Sequence, residues 1–251
     1  MNRPILRSSR AFLARSFDLG EADRRLLFFT RDAGLLSAVA KSAWRSRKRF
    51  GGALQRYVLL DISWTERPGR LAVLSSACIR KSYWGIVEEW DRVRHADHLL
   101  EVASEMFPQA GPKPRAFDAL LCGMDSIAGG ESAAGTARKA EAALLSIAGW
   151  GPDLARCRIC GKEESRAYRF VPSEGGIFCE ACSSTRGGVP LSLGAVKTWR
   201  AMQPGTSAPP AKLRMPQVIA EELRNVIPGY IEYCIGKKLR SLGGTASEIA
   251  R

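Results

Sequence analysis

The sequence predicts an α+β multidomain protein: a small β-barrel, then an α-helical region interrupted by an inserted four-cysteine module. Three observations predict it. Between residues 10 and 81, short apolar runs alternate with polar positions and are separated by turn residues such as Asp32-Ala33-Gly34 and Arg67-Pro68-Gly69. From Glu88 onward, apolar residues recur at helical spacing instead. Within that region Cys157-Arg-Ile-Cys160 and Cys179-Glu-Ala-Cys182 form two Cys-x-x-Cys hooks with eighteen residues between them. The expected division is a barrel over 1–81, helices over 82–150, the cysteine module over 151–190, further helices over 191–242 and a disordered tail over 243–251.

The barrel strands are expected at residues 10–17, 24–30, 34–41, 52–62 and 71–80. Five strands at this spacing suggest an OB-fold, the five-stranded Greek-key barrel that binds oligonucleotides. Charge supports that reading. Residues 1–81 hold 17 Lys/Arg against 6 Asp/Glu, whereas the other 170 residues hold 21 against 19, so the net charge of +13 is concentrated in the barrel. A localised surplus is the footprint of a site for a polyanion. Its centre is the stretch 41–52, K-S-A-W-R-S-R-K-R-F-G-G, where Lys41, Arg45, Arg47, Lys48 and Arg49 surround Trp44 and Phe50. Phosphates attract cations and unstacked bases lie on aromatic faces, so Lys41, Trp44, Arg45, Arg47, Lys48 and Arg49 are the candidate nucleic-acid contacts. Five phosphate contacts would give a single-strand salt slope of about −3.5.

The helices are expected at 88–107, 115–128 and 135–148. His95 and His98, three apart on the first, can share a face, and packing or solvated histidines are the expectation for them rather than metal ligands. Cys78, Cys122 and Cys234 have no partner at ligand spacing and read as small apolar residues.

In the cysteine module, Cys157, Cys160, Cys179 and Cys182 put four thiolates within reach of one Zn²⁺, a closed tetrahedral shell that leaves no position for water. The zinc would be structural, one per chain. Tyr168, Phe170 and Val171, then Ile177 and Phe178, make two strand-like runs around Gly175-Gly176, a ribbon-like hairpin between the hooks. Seven cysteines, an odd total, fit disulfides poorly; an iron–sulfur cluster or a redox pair remains an alternative. Beyond it, residues 191–202 read as a helix with Ser192 as its cap. A linker over 203–211 follows, and Pro216 opens a helix that Pro228 interrupts.

The runs G-E-A-D-R-R-L-L-F-F-T (20–30), A-G-L-L-S-A-V-A-K-S-A (33–43) and F-G-G-A-L-Q-R-Y (50–57) resemble the N-terminal barrel of the bacterial RecO family. Cys-x-x-Cys-Gly followed by Gly-Gly-x-x-Cys-x-x-Cys is similar to the zinc module of many members. The likeness spans about residues 5–240. It implies a DNA-binding recombination mediator that anneals complementary strands and works with RecR and single-strand-binding protein to help load RecA. By position, Lys41 and Arg45 match the family's basic barrel residues. Two departures are Ser42, where the family usually has Gly, and Arg56, where it usually ends the motif apolar or with Pro. The resemblance also implies a groove for the acidic tail of single-strand-binding protein, for which Arg138 and Lys139 beside an Ala/Leu-rich face are the candidates. A bacterial cytoplasm, with nucleoid association, is the expected location, although the Arg-rich first 17 residues have the composition of a presequence. The rival classes are an RNA- or transcription-associated binding module and a metal-dependent nuclease. No Gly-x-x-x-x-Gly-Lys-[Ser/Thr] loop occurs, and a closed Cys₄ site cannot activate water, so no enzyme activity is expected.

Overall fold

A computed structural model describes residues 5–44, 46–50, 52–184, 187–203 and 213–243. Five strands, β1 (Ile5–Leu19), β2 (Asp23–Thr30), β3 (Gly34–Ala40), β4 (Val58–Glu66) and β5 (Ala72–Ser82), close into a barrel of order β1-β2-β3-β5-β4. Only the β3–β5 pair is parallel among them. This is the OB arrangement. Strand β1 serves two neighbours, pairing with β4 through Ile5 to Ala11 and with β2 from Ala11 to Leu19, with an irregularity around Ala14. Its first residues, Ile5 to Ser8, lie exposed with no amphipathic pattern, which is why periodicity locates the strand only from residue 10. The fourth strand also differs from expectation. The chain from Gly52 to Tyr57 is irregular, with Ala53 and Leu54 buried as a plug in the barrel core, and β4 starts at Val58 and runs on to Glu66.

A short helix α1 (Arg47–Phe50) sits in the β3–β4 connection, and α2 (Trp84–Val87) leads from the barrel into α3 (Trp90–Met106), α4 (Pro114–Ala128) and α5 (Ala133–Ile147). Pro114 opens α4, and the Ser132 hydroxyl caps α5 by accepting from the Gly135 N–H at 3.3 Å. Two cores form. Phe28, Leu60, Ile62, Trp64 and Leu74 fill the barrel, while Phe12 and Phe29 point out of it and join the helical core. There Phe117 of α4 lies 5.6 Å from Phe12 and 6.3 Å from Phe29, centroid to centroid. Barrel and helices are thereby packed as one body.

Strands β6 (Ala167–Val171), β7 (Gly176–Cys179) and β8 (Val189–Ser192) form an antiparallel sheet of order β7-β6-β8. The hairpin expected between the hooks is β6–β7. Leu191 and Ser192, expected to open a helix, instead end β8, and α6 (Leu193–Ala201) begins one residue later, with the Ser192 hydroxyl capping Ala195 at 3.1 Å. Phe170 of β6 packs 5.0 Å from Trp199 of α6 and 5.0 Å from Tyr230, binding the module to the helices. Tyr230 lies on α8 (Ile227–Ile235), which follows α7 (Gln217–Arg224); Pro228 in the first turn of α8 separates the two. The last helix is α9 (Arg240–Gly243). Most of the expected linker (204–211) and the tail beyond Gly243 lie outside the described residues.

Candidate nucleic-acid interface and metal centre

The cysteine site is built by two turns. In the first, the Cys157 N–H donates to the Lys162 carbonyl and the Gly161 N–H to the Cys157 carbonyl, both at 2.9 Å, with Gly161 at φ +71°. In the second, Cys179 ends β7 and Cys182 closes a 3₁₀ turn over Glu180–Cys182. Together they bring the four sulfurs within 4.8 Å of one another. The Cys160 and Cys179 sulfurs are 3.7 Å apart. A thiolate tetrahedron with metal–sulfur bonds of about 2.3 Å has edges of about 3.8 Å, so the spacing fits four ligands on a single ion. A polynuclear cluster holds its thiolates farther apart, and a disulfide needs about 2.05 Å. Burial opposes ionisation of Cys157, but backbone N–H donors at Cys160, Cys179 and Ile159 aim at its sulfur and bring the thiol down to about 6. Cys182 is pushed up to about 12 by the hydrogen bonds it shares with Cys179 and Cys160. One thiolate, that of Cys157, is thus prepared for a cation.

On the barrel, the β3–β4 connection presents Lys41 exposed and the Trp44 indole 63% exposed. Arg24 of β2 holds one face of that indole, its guanidinium carbon 4.9 Å from the ring centroid. Arg49 braces the connection, donating to the Lys41 carbonyl at 2.7 Å and to the Ser46 hydroxyl at 2.8 Å, with its guanidinium over Phe50. Phe50 itself is buried in the barrel core and offers no face to a base. Arg45 lies outside the described residues, as do the side chains of Arg47 and Lys48. Ser42 adopts φ +52°, and its N–H donates to the Asp23 carboxylate at 2.7 Å. The left-handed turn that Gly would make cheaply is therefore kept with serine, held by Asp23.

Arg56, the second departure, has a visible job. It pairs with Asp97 of α3 at 2.7 Å, and the Tyr57 hydroxyl donates to the same carboxylate. Asp97 is 4% exposed; burial raises its pKa, against the pull of Arg56 and Tyr57. Tyr57, at φ +57°, is likewise raised by burial. This latch ties the exit of the basic connection to the helical body, and neither Arg24 nor Arg56 is singled out by charge or spacing in the sequence.

In the helical body, Arg138 corrects an expectation. It is buried, not presented to a partner: its guanidinium meets Glu141 at 2.7 Å, and Glu141 also contacts the His98 ring. The reason is packing, because α5 touches α3, α4, α7 and α8 and keeps little of its surface for solvent. Burial lowers the Arg138 pKa despite Glu141. Lys139 is half-exposed. His95 and His98 are buried too, His98 between Glu141 and Ser241 and His95 against the Asp91 carbonyl at 2.8 Å, as packing histidines.

Comparison with known proteins fits this geometry. Family models described as Recombination protein O N terminal and Recombination protein O C terminal match residues 5–83 and 87–243. The chain belongs to the RecO family. The two matches meet where β5 gives way to α2, so the barrel and the helical body each carry a family signature. Proteins named DNA repair protein RecO are similar along nearly the whole length. One from Anaeromyxobacter sp. (strain Fw109-5) is 30% identical over 231 residues, covering 90% of each chain. One from Dehalococcoides mccartyi (strain ATCC BAA-2266 / KCTC 15142 / 195) is 28% identical over 243 residues, covering 96% of each. The family match extends across the cysteine module, so the hooks belong to a RecO C-terminal region and not to a separate added domain.

Proposed function

We propose that this protein is a recombination mediator of DNA repair that binds DNA on its barrel and anneals complementary strands. The observation that carries the reading is the β3–β4 connection, where exposed Lys41 and the exposed Trp44 indole sit together on the closed barrel of a RecO-family chain. Cations there lower the repulsion between two phosphate backbones, and the indole holds a base out of its stack, so complementary strands can meet. The work is done by binding alone and needs no bond chemistry or nucleotide hydrolysis. Lys41, Trp44, Arg45, Arg47 and Lys48 are the contacts of this reading, with Arg49 both contact and brace.

The cysteine site is read as structural zinc. The thiolate spacing supports a borderline-soft, tetrahedral ion, and four sulfurs leave it no open position, so its role is to hold β6, β7 and the hooks together. RecR, single-strand-binding protein and, through them, RecA are the partners this reading requires, at the bacterial nucleoid. For the acidic-apolar tail of single-strand-binding protein, the groove among Phe107, Ile147, Trp150 and Ile235 replaces the buried Arg138 as the candidate. Its apolar floor lies beside Lys113 and Arg115, which can pair a terminal carboxylate.

The test is annealing of complementary oligonucleotides, bare and coated with the cognate single-strand-binding protein. Wild type is expected to anneal both, and Lys41→Glu with Arg45→Glu to slow annealing by tenfold or more on the order expected for lost phosphate contacts. Circular dichroism must be unchanged in the variant. A wild-type protein that binds DNA yet anneals neither substrate would sink the mediator reading.

A further inference from the structure

A cleft of about 540 Å³ separates the barrel from the helical body. Ser16 of β1 lines one side, Leu100 and Ser104 of α3 the other, and the exposed Trp44 and Gln55 stand at its rim. We propose that this cleft receives an unstacked base of bound single-stranded DNA, stacked on Trp44 and enclosed by α3, so that the helical body completes the DNA site. The inference rests on the DNA-annealing reading above and extends it beyond the barrel.

Size, shape and charge each favour a base. The volume falls within the roughly 300–1,000 Å³ of pockets that hold small ligands. The indole is fixed by Arg24 on one side while most of its surface stays open. Charge then separates base from backbone. The cations around the cleft are already matched: Arg15 with Glu105 at 2.8 Å, Arg24 with Asp18 at 3.6 Å, Arg56 with Asp97 at 2.7 Å, and Arg240 with Glu101 at 3.5 Å. A phosphate pushed inside would meet the carboxylates of Asp97 and Glu101, whereas a neutral base meets no such repulsion. Base edges carry acceptors for the O–H of Ser16, whose oxygen already accepts from Arg24, and donors and acceptors that the Gln55 amide can satisfy. The phosphates remain outside, on Lys41 and its neighbours. One captured base would anchor a strand while the flanking bases stay open for pairing.

The Arg56–Tyr57–Asp97 latch gives the arrangement its rigidity, since it joins the rim directly to α3. A site split between two mobile bodies would lose more entropy on closing around a base than one already latched.

The experiment uses the full-length protein and single-stranded oligothymidylate bearing 4-thiothymidine, whose irradiation joins the base to whatever it touches. Cross-linked peptides are mapped by mass spectrometry. Cross-links are expected both at Trp44 and within residues 97–104 of α3. Trp44→Ala is expected to abolish the α3 cross-links and weaken oligothymidylate about tenfold, the size of one lost stacking contact, with abasic oligomer of equal length unaffected. Trp44→Phe should restore most of both. Cross-links confined to residues 41–56, with equal affinity for abasic and thymidylate strands, would overturn the cleft and leave the barrel reading standing. Failure of the wild type to bind any strand would remove the barrel reading and the cleft with it.

Discussion

The cysteine module and the basic connection of the barrel use burial in opposite ways. At the module, Cys157 and Cys179 are buried, backbone N–H groups point at the Cys157 sulfur, and the four sulfurs lie within 4.8 Å of one another. At the barrel, Lys41 and Trp44 face solvent and their supports lie behind them: Asp23 under Ser42, Arg24 against the indole, Arg49 on the Lys41 carbonyl. The first arrangement satisfies its own chemistry and contributes to the fold. The second leaves its chemistry unsatisfied for a ligand. Damage to the module is therefore expected to appear as lost stability, and damage to the exposed face as lost affinity.

The largest test of that contrast is Cys179→Ser. Removing a buried ligand is expected to take bound zinc from one per chain to none and to cost about 5 kcal/mol, roughly 10–20 °C in Tm, with DNA affinity in the folded fraction changed less than about twofold. Metal analysis, calorimetry and a binding titration below the lowered Tm read all three. A variant that stays as stable as wild type but no longer binds DNA would reverse the assignment of roles.

A smaller loss is expected at the seam between barrel and helices. Phe117→Ala removes the ring that Phe12 and Phe29 pack against and should cost about 3–4 kcal/mol. Hydrogen exchange is expected to show barrel peptides opening together with those of α4 in wild type and separately from them in the variant. If both regions still exchange together, the barrel and helices do not depend on this ring for their coupling.

The smallest effect is expected at the rim of the interface and has the opposite sign. Ser42→Gly relieves a left-handed serine and should stabilise the fold by about 1 kcal/mol, measured by urea denaturation, with DNA binding retained. Destabilisation instead would mean that the serine side chain contributes more than its backbone strain costs.

Legibility followed the same division. Two Cys-x-x-Cys hooks with a hairpin between them are visible in the sequence because all four ligands lie within 26 residues and local turns can bring them together. The barrel strands β2 and β3 are legible for a similar reason, β2 as the short apolar run Leu26 to Phe29 and β3 as a short alternation, each between turns. Strand β1 reads short because its exposed first residues, Ile5 to Ser8, carry no alternation, and β4 reads as starting early because the apolar Ala53 and Leu54 plug the core from irregular chain. Arg138 was misplaced for a different reason. A cation in an Ala-rich helix ordinarily lies outward, and only the helices packed around α5, together with Glu141 three residues on along α5 and His98 of α3 beside it, make burial tolerable.

By itself the sequence determined the barrel-then-helices class, the four cysteines that come together and the location of the positive charge, since these depend on local periodicity, short spacings and composition. Tertiary structure alone decided that Phe50 is core while Trp44 is free, that Arg56 latches to Asp97 forty-one positions away, and that a cleft opens between barrel and α3. Those depend on which surfaces meet when two separately legible regions pack. Side chains distant in sequence acquire their burial, partners and charge balance only at that contact.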